Sequence, residues 1–243
     1  MRIEREHDVA VLVLEWGKAN AMNFAFLDAL DGLLDQLGAA RAAVITARGS
    51  IFSGGLDLPA LVDLPPAGFR DFIDRFTAVM LRIFELPVPV VAAVNGHAIA
   101  GGCALALQAD VRVMSGGKIG LTEAQLGLGL PPVILEALRA QVPARSLVPI
   151  ALEGRLFTPD EALAVGLIDA VAADARGAAV QRARQLATAG ARQIKAVLRA
   201  PVAKLIRESA NAGWTDTWFA PGAQDLVRAA VAKLTKKQAP AGP

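Results

Sequence analysis

The stretch "NGHAIAGGCALAL", residues 95–107, decides how the rest of the chain is read. An apolar strand, "VPVVAAV" (88–94), runs into it, and the apolar spacing predicts a helix over 101–109. Gly101 and Gly102 stand at the start of that helix. Only proline favours a helix less than glycine, so the pair needs a reason. Glycine lets a backbone approach a neighbour closely and take unusual angles. The first N–H groups of a helix lack intrahelical partners and sit at the positive end of its dipole. A second stretch of the same character, "SGGLD" (53–57), also follows an apolar run. Two N–H groups from two such loops could converge on one oxygen that gains negative charge, an oxyanion hole. Spacing alone also allows two ordinary tight turns. Neither loop is a phosphate-binding "GxxxxGK[ST]", and no "GxGxxG" follows the first strand.

Outward from these loops, the pattern alternates between strand and helix. "RIEREHDVAVLVLEW" reads as a hairpin turning at "HD". "NFAFLDALDGLLDQL" (23–37) is helical, with Asn23 as its N-cap. "AAVITA" (42–47) is a buried strand followed by the Gly/Ser-rich loop. "AGFRDFIDRFTAVMLRIFEL" (67–86) is an amphipathic helix whose stripe is Phe69, Phe72, Ile73, Phe76, Val79, Met80 and Ile83. "VRVMS" (111–115) is a strand, and "KIGLTEAQLGLG" passes from strand to loop. This β-α-β-α-β order predicts parallel strands with crossover helices. Further on, Thr158, Pro159 and Glu161 form a capping box that opens another helix. Beyond about residue 178 the chain reads as helical.

Composition narrows the function classes. The 243 residues are 54% hydrophobic and 20% charged, with a net charge of +2, as in a globular protein. Lys and Arg are spread along the chain, and "KLTKKQ" (233–238) reads as a solvated helix end, so no nucleic-acid partner is expected. The lone Cys103 forms no intrachain disulfide and reads as a small buried hydrophobe. His7 and His97 lack metal-ligand spacing, so no metal is expected. Residues 86–109 carry no formal charge and are long enough to span a bilayer. Pro87, Pro89, Asn95, Gly96, Gly101, Gly102 and Gln108 break that stretch, so a strand, turn and helix explain it better. "MRIEREHDVAV" lacks the apolar core of a signal peptide and "APAGP" has no targeting tripeptide, so a cytoplasmic protein without a membrane partner is expected.

Five stretches resemble one family in one order: "NAM" (20–22), "FSGGLDL" (52–58), "VVAAVNGHAIAGGCALALQADVRV" (90–113), "GLTEAQLGLGLPP" (120–132) and "TPDEALAVGLIDAV" (158–171). Together they are similar to the crotonases, the enoyl-CoA hydratase/isomerase superfamily. The resemblance implies an α/β fold: a crotonase-like spiral of β-β-α units over 1–185, then a helical trimerisation region over 186–243. It implies an acyl-CoA thioester substrate, with CoA as part of the substrate and no separate cofactor. It implies a homotrimer, or a hexamer built as a dimer of trimers. It also implies oxyanion donors at Gly54 and Gly101, and contacts to substrate or CoA at Ala19, Ala21, Gly55, Leu56, Asp57 and Gly102.

Hydratases of this family carry two glutamates. Their positions here are Ala104 and Glu123. Adding water across a double bond suits two carboxylates, whereas one can shuttle a proton between two carbons. "FSGGLDL", "GGCALAL", "LTEAQLGL" and "ARQIKAVLR" (191–199) resemble the mitochondrial type of Δ3,Δ2-enoyl-CoA isomerase, which keeps only the second glutamate. Dienoyl-CoA isomerases place an aspartate eight residues later, where this chain has Pro131. Glu123 is therefore the expected catalytic group. Asp57 is expected as a loop brace, Glu136 as a solvated helix residue and His97 as a packed turn residue. The alternatives are a hydratase or other crotonase-type lyase or hydrolase, a catalytically silent CoA-ester-binding subunit, and an RNA-binding relative. The apolar tail "PVAKLIRESANAGWTDTWFAPGAQDLVRAAVAKL" (201–234) is expected to pack across subunits.

Overall fold

The computed structural model describes residues 1–209 and 211–238. The "APAGP" terminus and the side chains of 236–238 lie outside that description. β1 (Arg2–Glu6) and β2 (Val9–Leu14) form the expected antiparallel hairpin, with Arg2 opposite Val13 and Glu6 opposite Val9. β2 then pairs in parallel with β3 (Ala42–Ala47). β5 (Val90–Val94), β7 (Val111–Met114) and β9 (Ala170–Val171) extend the sheet in the order β1-β2-β3-β5-β7-β9.

Both faces of the central strands β2, β3 and β5 are covered, which is why they are nearly all apolar rather than alternating. Val9, Val11, Val13, Val44 and Val91 pack on α7 (Ala175–Leu186) through Ala179, Val180 and Ala183. Leu12, Leu14, Ile45 and Val94 face the main core. That core includes α1 (Phe24–Asp35), whose cap Asn23 accepts the Phe26 N–H at 3.0 Å, and α3 (Pro66–Phe84), whose expected stripe is wholly buried.

A second, smaller sheet was not legible in the sequence. β4 (Ile51–Ser53), β6 (His97–Ile99) and β8 (Ile119–Gly120) run parallel in the order β4-β6-β8. Two or three residues are too few to show alternation. Three successive strands of the large sheet, β3, β5 and β7, are thus each followed by a strand of the small one and then by a helix. Those helices include α2 (Leu58–Leu61) with α3, then α4 (Gly101–Leu107), then α5 (Pro132–Gln141). This is the β-β-α spiral.

α6 (Pro159–Ala164) starts at the expected capping box, where Glu161 Oε2 accepts the Thr158 N–H at 2.8 Å. α8 (Ala189–Glu208) is fastened to the sheet by a buried cluster. Asp110 accepts from Lys195 Nζ and Arg199 Nη2, both at 2.8 Å, and from the Val90 N–H at 2.8 Å. α9 (Ala212–Trp218) and α10 (Pro221–Gln238) follow. Here the expectation that the tail finds its apolar partner on a neighbour is corrected for the buried part of the tail. Ile206, Trp214, Trp218 and Val227 are buried within this chain, in the same core as Phe69 and Phe76. The stripe of α3 supplies the apolar surface that the tail was expected to find on a neighbour. Leu205 and Leu226 remain exposed.

Candidate active site

Because β4, β6 and β8 are parallel, their C-terminal ends share one edge of the small sheet, where ligands of open α/β sheets bind. Each end releases a loop singled out by sequence: Gly54–Asp57 after β4, Ala100–Gly101 after β6, and the 3₁₀ turn Glu123–Leu126 after β8. Between them lies a cavity of about 190 Å³. Leu56, Gly101, Thr122 and Glu123 face it on one side, Ile73 and Phe76 of α3 and Trp214 and Trp218 of α9 on others.

The two glycines at the start of α4 do different things. Gly101 is the first helical residue, and its N–H has no intramolecular acceptor among the described residues. It is aimed by Ala100, whose φ of 51° is unusual for a residue with a side chain. The Ala100 N–H donates to Gly120 O at 2.8 Å, which ties this loop to the end of β8. Gly102 serves packing: a Cβ there would lie 2.2 Å from Ser53 O, so only glycine lets α4 close on β4. It is buried and does not line the cavity, which corrects its expected place as a substrate contact.

The first loop also needs correction. The Gly54 N–H, expected as an oxyanion donor, donates to Ala19 O at 2.8 Å and is not available. Two residues later the Leu56 N–H has no intramolecular acceptor among the described residues. Leu56 is bridged to Met22, and the flanking bonds Met22 N–H to Gly55 O (2.8 Å) and Asp57 N–H to Met22 O (2.9 Å) leave its own N–H free. A Cβ on Gly101 would lie 3.5 Å from Leu56 N, so the two free N–H groups are neighbours. The family resemblance implies Gly54 by its position in the loop. Only the pairing with residues 19–22 reveals which N–H is spent.

The remaining residues fall around this pair. Gly55 has a φ of +89°, and a Cβ there would meet Ile99 O at 2.8 Å, so it lets the two loops touch. Asp57 is the expected brace: its Oδ2 accepts from Asn23 Nδ2 at 2.9 Å. Ala19 and Ala21 are half-buried on the segment bridged to this loop and do not line the cavity. Glu136 differs from its expected solvated state. It is half-buried and pairs with Arg139 at 3.2 Å, away from the cavity lining. His97 is exposed on β6, accepting the Lys118 N–H at Nδ1, so it is neither a packed turn residue nor in the site. Cys103 is buried, and burial pushes its thiol well above the ordinary range.

Glu123 is the only titratable side chain that lines the cavity among the described residues. It is 8% exposed, and its Oε2 has no hydrogen-bond partner. Burial without a neighbouring cation disfavours the ionised form and pushes its pKa from 4.5 up to about 7. The turn that carries it is held from both ends. The Leu128 N–H donates to Glu123 O at 3.1 Å, and Gln125 Nε2 donates to Gly154 O at 2.7 Å. Ala104, at the position of the first hydratase glutamate, is fully buried in α4 and offers no acid. A carboxyl poised near neutrality in the same cavity as two free N–H groups can move a proton on a substrate whose oxygen those groups hold. Among the described residues, no cluster of three or more His, Cys, Asp or Glu side chains could hold a metal, and no helix is long and apolar enough to cross a membrane.

Residues 4–217 match the family described as Enoyl-CoA hydratase/isomerase. A putative enoyl-CoA hydratase of Thermus thermophilus is 34% identical over 82% of this chain and 80% of its own. The human mitochondrial enoyl-CoA delta isomerase 1 is 32% identical over 67% of this chain, although the match spans only 56% of that protein. A crystal structure of human mitochondrial delta3-delta2-enoyl-CoA isomerase superposes with a TM-score of 0.91 at 26% identity, covering 97% of this chain and 98% of the other. An enoyl-CoA hydratase from Thermoplasma volcanium superposes at 0.73 and 26% identity, over 96% and 92%. The relatives carry both hydratase and isomerase names. With its sequence matched nearly end to end and its β-β-α spiral shared with theirs, the chain belongs to the enoyl-CoA hydratase/isomerase family.

Proposed function

We propose that the protein is a Δ3,Δ2-enoyl-CoA isomerase that moves a double bond with one glutamate. The observation that carries this reading is the single carboxyl of the cavity: Glu123 is there and Ala104 is not an acid. The thioester oxygen lies between the N–H groups of Leu56 and Gly101. In water a carboxylate of ordinary pKa is far too weak a base for the C2 proton of a 3-enoyl thioester. Two changes close that gap. Each N–H that meets the developing oxyanion is worth about 3–4 kcal/mol. The apolar walls make Glu123 a stronger base, with its pKa near 7. Glu123 takes the proton from C2, charge passes to the thioester oxygen, and the proton returns at C4 as the double bond settles between C2 and C3. The CoA portion runs past Ala19 and Ala21 and needs no further cofactor.

Hydration would need a second group to hold and deprotonate water; apart from Glu123 the polar side chains on the cavity wall are those of Thr122, Trp214 and Trp218, and none of them is a base. Glu123→Gln tests the assignment. It keeps the shape and removes the base, so 3-enoyl-CoA turnover should fall by about 100-fold or more while affinity for a saturated acyl-CoA is retained. Turnover within a few-fold of the parent would remove Glu123 from this role.

A further inference from the structure

The site already described explains the proton transfer but not which acyl chains fit, and α9 bears on that. Trp214 and Trp218 close the cavity on the α9 side. Trp218 is fully buried, and behind it Phe69 stacks at 4.1 Å between ring centroids with the planes 17° apart. Trp214 stacks on the same Phe69 ring at 5.5 Å. Phe69 itself does not reach the cavity, so the wall is two aromatic layers deep. It is also latched to the segment that follows Glu123. Trp214 Nε1 donates to Gly129 O at 2.6 Å, and the Gly129 N–H donates to Thr217 Oγ1 at 3.1 Å. The neighbouring Leu128 lines the cavity. A wall backed by a packed ring and pinned by two hydrogen bonds yields little to a longer chain.

We propose that Trp214 and Trp218 gauge acyl length in this enzyme: they end the acyl cavity, so short enoyl thioesters react and long ones are rejected. This rests on the reading that the cavity holds the acyl part of an enoyl-CoA. One methylene too many in an apolar pocket is worth roughly 10–200-fold in kcat/KM. Replacing the Trp218 indole by a smaller side chain removes the first layer of the wall and opens space as far as Phe69.

The test compares 3-hexenoyl-CoA with 3-dodecenoyl-CoA for the parent, Trp218→Leu and Trp218→Phe. Binding of the saturated hexanoyl-CoA and dodecanoyl-CoA is measured alongside. The parent should favour the shorter substrate by at least about tenfold, and Trp218→Leu should shift that ratio toward the longer one by at least about tenfold. Trp218→Phe keeps a ring on Phe69, so it should fold where Trp218→Leu does not, and should give a smaller shift of the same sign. The proposal is overturned if the parent prefers the longer chain, or if both variants change the two substrates by the same factor. Should the parent turn over neither substrate, the isomerase reading falls. The binding ratios then decide the gauge by the same criteria.

Discussion

In the proposed reaction Glu123 carries the chemistry, and its environment sets when it can act. With burial raising its pKa to about 7, the side chain is a stronger base than an ordinary carboxylate yet still substantially ionised at neutral pH, and it can give back the proton it takes. Only the ionised form can remove the C2 proton. The kcat/KM for a 3-enoyl-CoA should therefore rise with pH, reach half its plateau near 7 and level off above. A profile flat from about pH 5 to about pH 9, or one that falls with pH, would remove Glu123 as the base. At this scale the sequence was legible where chemistry is carried by a side chain. Glu123 and the lack of an acid at Ala104 stand in the residue string. Oxyanion donors are backbone groups, and any residue type can supply one. The free N–H of Gly101 could be read because a helix start leaves it unpaired, whereas the free N–H of Leu56 became visible only once Ala19 O was found to accept the Gly54 N–H.

Among the elements, the small sheet does most to build the site, and it is the part the sequence hid. β4, β6 and β8 are short, yet their parallel pairing brings three loops from distant parts of the chain to one edge. The long elements were readable because each has a clear period or a cap: the α3 stripe, Asn23 at α1, the Thr158–Glu161 box at α6. The seat of α4 on β4 depends on Gly102. A methyl there would meet a backbone carbonyl at 2.2 Å, and a carbonyl cannot swing aside as a flexible side chain can. Gly102→Ala should lower stability by about 1–3 kcal/mol, or roughly 2–12 °C in Tm for a chain of this size. It should also cost activity, because α4 carries the Gly101 N–H. An unchanged melting temperature would mean that the helix shifts freely, contrary to the packing described here.

Over the whole molecule, the large sheet is a platform with both faces covered, and the site sits beside it at the end of the small sheet. The C-terminal helices complete that site from within the chain: α9 lays two tryptophans against α3 and against the cavity. From composition alone the tail reads as apolar surface in search of a partner. The partner is the Phe69–Phe76 face of α3, a contact across more than a hundred residues that no local pattern encodes. The architecture is common to hydratases and isomerases, so the fold does not choose between them. The proposed choice rests on the cavity, which holds one carboxyl among the described residues. The most direct measurement is the ultraviolet absorbance of the unaltered protein with 3-hexenoyl-CoA and, separately, with 2-hexenoyl-CoA. Moving the double bond into conjugation with the thioester raises the absorbance, and adding water to a conjugated double bond lowers it. The account predicts a rise with 3-hexenoyl-CoA and little or no fall with 2-hexenoyl-CoA; a rapid fall with the latter and no change with the former would contradict it.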